Sequence, residues 1–214
     1  MTLPEPFTLV VVLGLVSLIP FIAVMATSFV KLAVVFSLLR NALGIQQIPP
    51  NMALYGLALI LTLYIMAPVG FAIHDHFIEN PINLEDKQAI SKIVDSGLNP
   101  YREFLLEHSD ESERTFFKDA AANLWPDNYS ERLSEDSLLI LMPAFTLSEL
   151  TDAFKMGFLL YLPFIAIDLI ISNILLAMGM MMVSPVTISL PFKLLLFVLL
   201  DGWTRLTHGL VLSY

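Results

Sequence analysis

The chain contains no cysteine, which excludes disulfides, thiolate nucleophiles and cysteine-ligated zinc, iron–sulfur or haem sites. The absence leaves the redox compartment open, because secreted and periplasmic proteins also do without cysteine. Charge is scarce as well: 14% of the 214 residues are Asp, Glu, Lys or Arg, against 57% that are apolar. With a mean hydropathy of +0.75, this composition excludes intrinsic disorder and argues against a water-soluble single domain. There is no basic run and the formal charge is −9, so nucleic acid is not an expected partner. The phosphate-binding GxxxxGK[ST] pattern is missing, as are HExxH, GxSxG and a glycine-rich dinucleotide turn. Neither ATP hydrolysis nor any other enzymatic activity is expected, and no cofactor is implied. His74 and His76 flank Asp75, but at the end of an apolar helix they read as markers of the water interface rather than as a metal site. His108 and His208 have no partner in sequence.

The little charge present is unevenly placed. Between Asp75 and Asp136 lie fifteen acidic and six basic side chains, a local net of 6 − 15 = −9, and the remaining residues sum to zero. Around this acidic segment the chain is apolar over lengths that approach or exceed the roughly 20 residues needed to cross a bilayer as a helix. Pro6 to Val30 carries no charge, Asn41 to His74 carries none, Met156 to Phe192 is broken only by Asp168, and Leu194 to Tyr214 is broken by Asp201 and Arg205. The first stretch lacks a basic segment before it and a small-residue cleavage site, so it reads as a retained helix rather than a cleaved signal.

Gly44 with Pro49-Pro50, and Pro185 with Pro191, punctuate these stretches. The expected fold is an all-α membrane-type protein in which two apolar helical hairpins flank a helical acidic extramembrane insert. Residues 1–74 form the N-terminal hairpin, 75–140 the insert, and 141–214 the C-terminal hairpin with a Met-rich loop. Within the insert, Asn99-Pro100 reads as the cap and first position of a helix, and a second helix follows Ser109 until Trp125-Pro126 stops it. Lys31, Arg40 and Lys193 flank the two hairpin turns, while Lys155 and Arg205 lie on the other side, so charge counting decides little about orientation.

Two features carry chemistry. Asp168 sits inside "LPFIAIDLIISNILLAMG", where a carboxylate costs about 2.5–3.5 kcal/mol on insertion scales and needs a partner, a wet cavity or a proton. Ser172 gives it a partly polar helix face, and Lys193 is the nearest cation in sequence. An ion pair joining hairpins or subunits, a proton or ion relay, and exposure to solvent within an assembly are all open. The second feature is methionine: four of the ten, Met178, Met180, Met181 and Met182, fall within five residues just before Ser184-Pro185. Methionine is flexible and polarizable. In this place it is either apolar filler or, repeated around an axis, a soft constriction.

At this level of detail the chain resembles a known family. The segments "MATSFVKLAVVFSLLRNALGIQQIPPNMALYGLALILTLYIMAPVG" (Met25 to Gly70) and "LMPAFTLSELTDAFKMGFLLYLPFIAIDLIISNILLAMGMMMVSPVTISLPFKLLLFVLLDGW" (Leu141 to Trp203) are similar to the two signatures of the FliP/SctR family of type III secretion export-gate proteins. Val30-Lys31, where flagellar members usually read Thr-Arg, together with "GIQQIPPN", is more similar to the virulence (injectisome) form. The resemblance implies a core subunit of an inner-membrane-associated gate through which unfolded proteins are exported. It implies assembly in five copies with subunits of the FliQ/SctS and FliR/SctT types, and with the FlhB/SctU type. It further implies a methionine gasket at Met180, Met181 and Met182 with Met178 alongside, a buried acid and base at Asp168 and Lys193, a motif acid at Glu149, and a periplasmic location for the insert. From another class, a secondary transporter or ion channel using Asp168 as its coupling site is the competing expectation.

Overall fold

In the computed structural model, residues 14, 17, 24–45, 47–80, 96–130 and 133–214 are described. The retained helix expected over 6–30 lies mostly outside them. Among the described residues the structure is helical, with no strand: α1 (Phe29–Ala42), α2 (Asn51–Glu79), α3 (Asn99–Glu107), α4 (Glu111–Leu124), α5 (Asp127–Ser130), α6 (Leu138–Ala177), α7 (Pro185–Leu199) and α8 (Gly202–Val211).

Local chemistry accounts for the boundaries. Pro100 sits in the first turn of α3, where its missing N–H costs nothing, although the cap falls on Leu98 rather than on Asn99. Helix α4 opens with Glu111 and Glu113 after Asp110 and closes at Trp125, an arrangement that places acids at the positive end of the helix dipole. At the end of α6 the N–H of Met180 donates to Leu175 O at 2.9 Å and that of Gly179 to Leu176 O at 3.0 Å. Gly179 has φ +75°. This is a Schellman cap, and a residue without Cβ is favoured at its left-handed position.

One expectation is corrected here: Pro191 lies inside α7 rather than helping to break the chain, and only Pro185, in the first turn, marks the boundary. The apolar stretch after Leu194 is broken at Asp201: α7 and α8 meet at a 59° bend, where Asp201 adopts a left-handed conformation with φ 50°.

Two compact units emerge, one formed by Met1–Val30 with Phe71–Leu147, the other by Lys31–Gly70 with Ser148–Tyr214. In the first, Leu105, Ile140, Leu141 and Ala144 are buried, and the rings of Phe104 and Phe145 lie 5.6 Å apart. The hydroxyl of Tyr101 donates to Ala26 O at 2.7 Å, and Thr146 Oγ1 lies 3.1 Å from Met25 O, which ties residues 24–30 to this core. Burial raises the Tyr101 phenol to about 12, because the charged phenolate would have to give up water.

In the second unit Leu39, Ala42, Leu43, Phe164 and Phe197 form the core, with Trp203 and Leu206 packed against it. Gly157 lets α1 approach α6 closely, since a Cβ there would overlap Leu38.

Helices α2 and α6 are long and apolar enough to cross a membrane, and the bent α7–α8 pair forms a third span if it crosses as one. Only 11% of the most apolar window of α2 or α6 is buried within the chain itself. Such faces need lipid or other protein chains to cover them. At 40 residues, α6 is about 60 Å long, twice the roughly 30 Å hydrocarbon core that a spanning helix has to cross.

Candidate functional site

The methionine turn is built by the end of α6. Because the Schellman cap fixes Gly179 and the N–H of Met180, the following residues leave the helix axis together and begin α7 only at Pro185. All four methionines are exposed: Met178 at 62%, Met180 at 41%, Met181 at 83% and Met182 at 101%. Met182 is no more covered than in an isolated peptide and packs nothing in its own chain, whereas Met180 is more than half covered.

Asp168 is held from α7. Lys193 Nζ lies 2.6 Å from Asp168 Oδ2, and the hydroxyl of Ser189 donates to Asp168 Oδ1 at 2.5 Å. Ser189 and Lys193 are four residues apart on a helix, hence on one face. The ammonium also donates to Ala42 O at 3.2 Å, one of the carbonyls left over at the C-terminal end of α1. Three helices therefore meet at one cation. Its two sides differ: the Lys193 side chain is 4% exposed and that of Asp168 is 35% exposed. The hydroxyl that reaches Asp168 belongs to Ser189, not to the Ser172 singled out from spacing. Ser189 lies on a different helix, and the sequence carries no signal of that approach.

Glu149 belongs to a second cluster. Lys31 Nζ lies 2.6 Å from Glu149 Oε1, with side chains 3% and 1% exposed. The Tyr214 hydroxyl donates to Glu149 Oε2 in a short hydrogen bond, and Lys31 Nζ stands 4.2 Å from the Tyr214 ring centroid. The carboxylate is thus bound on both oxygens, and the cation meets both a carboxylate and an aromatic face. From sequence, Lys31 flanks the first hairpin turn and forms part of Val30-Lys31, and Tyr214 is not singled out. The available signal is a lysine at the third position of α1 in an otherwise apolar segment, which implies a buried partner.

Neither cluster has the constitution of a metal centre: among the described residues no three His, Cys, Asp or Glu side chains are grouped to hold an ion. Each cluster instead joins helices through one ion pair. The sequence pattern of the FliP family matches residues 12–210 of this chain. The chain belongs to the FliP family. It is 68% identical over 212 residues to Yop proteins translocation protein R of Yersinia pestis, covering 99% of this chain and 98% of that one. It is 55% identical over 216 residues to virulence protein YscR of Salmonella typhimurium, covering the whole of both. Harpin secretion protein HrcR of Erwinia amylovora is 46% identical over 210 residues, 98% of this chain and 97% of the relative. By their names these relatives are translocation, virulence and secretion proteins, and the chain is SctR-like.

Proposed function

We propose that this FliP-family chain is a core subunit of a type III secretion export gate in the bacterial inner membrane. Copies of the chain, five by the family resemblance, surround an axis together with subunits of the SctS/FliQ and SctT/FliR types and contact the SctU/FlhB type. Unfolded substrate proteins pass along that axis, and the acidic insert faces the periplasm. Met180, Met181 and Met182, with Met178 alongside, close the path when no substrate is present. The observation that carries this reading is the methionine turn, with four flexible apolar side chains that follow a capped helix end, all of them exposed and Met181 and Met182 almost wholly so. A ring of such side chains excludes water and ions when closed and conforms to varied polypeptides when open.

The paired state of Asp168 supports a structural role for that carboxylate rather than ion coupling. With Lys193 on one oxygen and Ser189 on the other, a transported cation would have to displace a resident ammonium. Glu149 is read in the same way, as an anchor for Lys31.

Native mass measurement of the chain co-expressed with its candidate partners tests the assembly. The expected particle holds several copies of this chain and at least two other apolar subunit types. A small homo-oligomer that purifies without partners and transports a small solute would favour the transporter reading instead.

A further inference from the structure

The second unit contains a groove that neither the methionine turn nor the charge clusters use. It encloses about 490 Å³ beside the middle of α6 and is lined by Leu159, Pro163, Leu196, Leu200 and Gly209, among others. The 59° bend between α7 and α8 produces it, because α8 turns away from the line of α7 and leaves a trough. All but one of the lining residues are apolar or glycine. The exception is Arg205, on the first turns of α8. Its side chain is exposed and forms no hydrogen bond or ion pair among the described residues. The trough is open at Gly209, where an added Cβ would meet nothing within 4 Å.

Where that trough faces lipid, an unpaired guanidinium in its lining is costly unless water or an anion meets it. An occupant that is apolar along its length and anionic at one end matches both the lining and its one charge. Size narrows the choice. The volume lies in the range of small-ligand sites, about 300–1,000 Å³, and equals roughly one turn of a helix with its side chains. A slender hydrocarbon chain fits along it, whereas a partner helix would rest on its rim. Basic pockets between apolar helices are also the usual receptors for anionic headgroups.

We propose that this groove binds one acyl chain of an anionic phospholipid, with the headgroup phosphate paired to Arg205. The lipid would cover an apolar face of the second unit that the chain itself leaves open. The proposal does not depend on the methionine turn closing a pore.

The test uses the full chain, purified with its co-expressed partners and reconstituted into phosphatidylcholine vesicles containing a phosphatidylglycerol with a photoreactive acyl chain. Labelling is expected on peptides carrying Leu159 and Leu196. Unlabelled phosphatidylglycerol should compete at least fivefold better than phosphatidylcholine, and inorganic phosphate should not compete. Gly209→Phe, which fills the trough, should cut the labelling at least fivefold. Arg205→Gln, a change to one exposed side chain, should abolish the preference for phosphatidylglycerol, and Arg205→Lys should retain it. Labelling spread evenly over the exposed apolar faces and indifferent to Arg205→Gln would overturn the proposal. So would a photoreactive residue at position 159 that cross-links a polypeptide rather than lipid.

Discussion

Replacing Lys31 with methionine removes a cation from a site that has no water to substitute for it. The side chains of Lys31 and Glu149 are 3% and 1% exposed, so Glu149 would be left as a buried carboxylate without its cation, the Tyr214 hydroxyl still donating to it. Breaking a buried pair from one side typically costs about 3–5 kcal/mol, whereas replacing both members with apolar groups of similar volume is often close to neutral. The lost contact with the Tyr214 ring adds about 0.5–2 kcal/mol. Lys31→Met alone should therefore be severe, and Lys31→Met with Glu149→Leu should recover most of the loss. Tyr214→Phe keeps the ring over the ammonium and removes one hydrogen bond to a charged acceptor, costing about 1.5–3 kcal/mol. The assay is thermal unfolding of the detergent-solubilised chain, followed by helical circular dichroism for all members of the double-mutant cycle. At roughly 2–4 °C per kcal/mol for a chain of this size, the combined loss of about 3.5–7 kcal/mol should lower the Tm of Lys31→Met by roughly 7–28 °C. Additive single-mutant losses, with a coupling energy near zero, would refute the reasoning, because the two charges would then be satisfied independently.

Asp168 and Lys193 should behave in the same way but less strongly, because Asp168 is partly exposed. Asp168→Ala or Lys193→Ala should each reduce the assembled fraction and secretion, and the double substitution should restore assembly in part. If Asp168→Asn leaves assembly intact while transport vanishes, and no change at Lys193 compensates, the carboxylate is a relay and not a strut. Gly56 lies on α2, where an added Cβ meets nothing within 4 Å of its own chain. Gly56→Leu should accordingly leave membrane insertion unchanged and weaken the oligomer on native gels, since small residues permit close helix approach between subunits; an unaltered oligomer would remove that face from the interface.

The helical class and the apolar segments were readable because they rest on length and composition, which need no knowledge of contacts. Asn51–Glu79 emerges as one long helix from an uninterrupted apolar run. The boundaries of α6 were not readable in this way. Hydropathy set the third apolar stretch to begin at Met156, whereas the helix begins at Leu138. The misleading residues are Glu149, Asp152 and Lys155: the first is neutralised by Lys31 from α1, and the other two pair along the helix surface at 2.9 Å. A hydropathy sum registers charges and not their partners. The same limit hid Ser189 and Tyr214, whose roles depend on helices that are distant in sequence coming together. By contrast, Asp168 and Lys193 stood out as isolated charges in an apolar setting, although the residues alone left a pair, a relay and exposure open and only the family resemblance joined the two. The methionine turn was legible as a cluster, and its exposure was legible only once Gly179 and the cap of α6 were seen.

The central claim is that the exposed methionines of several copies close an axial path. It is tested most directly by conductance across planar bilayers containing the assembled complex, with Met180, Met181 and Met182 replaced together by alanine. Alanine lacks the long thioether arm that spans the gap, so the resting complex should pass ions continuously, while wild type stays closed and the subunit composition by native mass is unchanged. A resting conductance equal to wild type, in a complex of the same composition, would contradict the claim and return these methionines to the role of apolar surface.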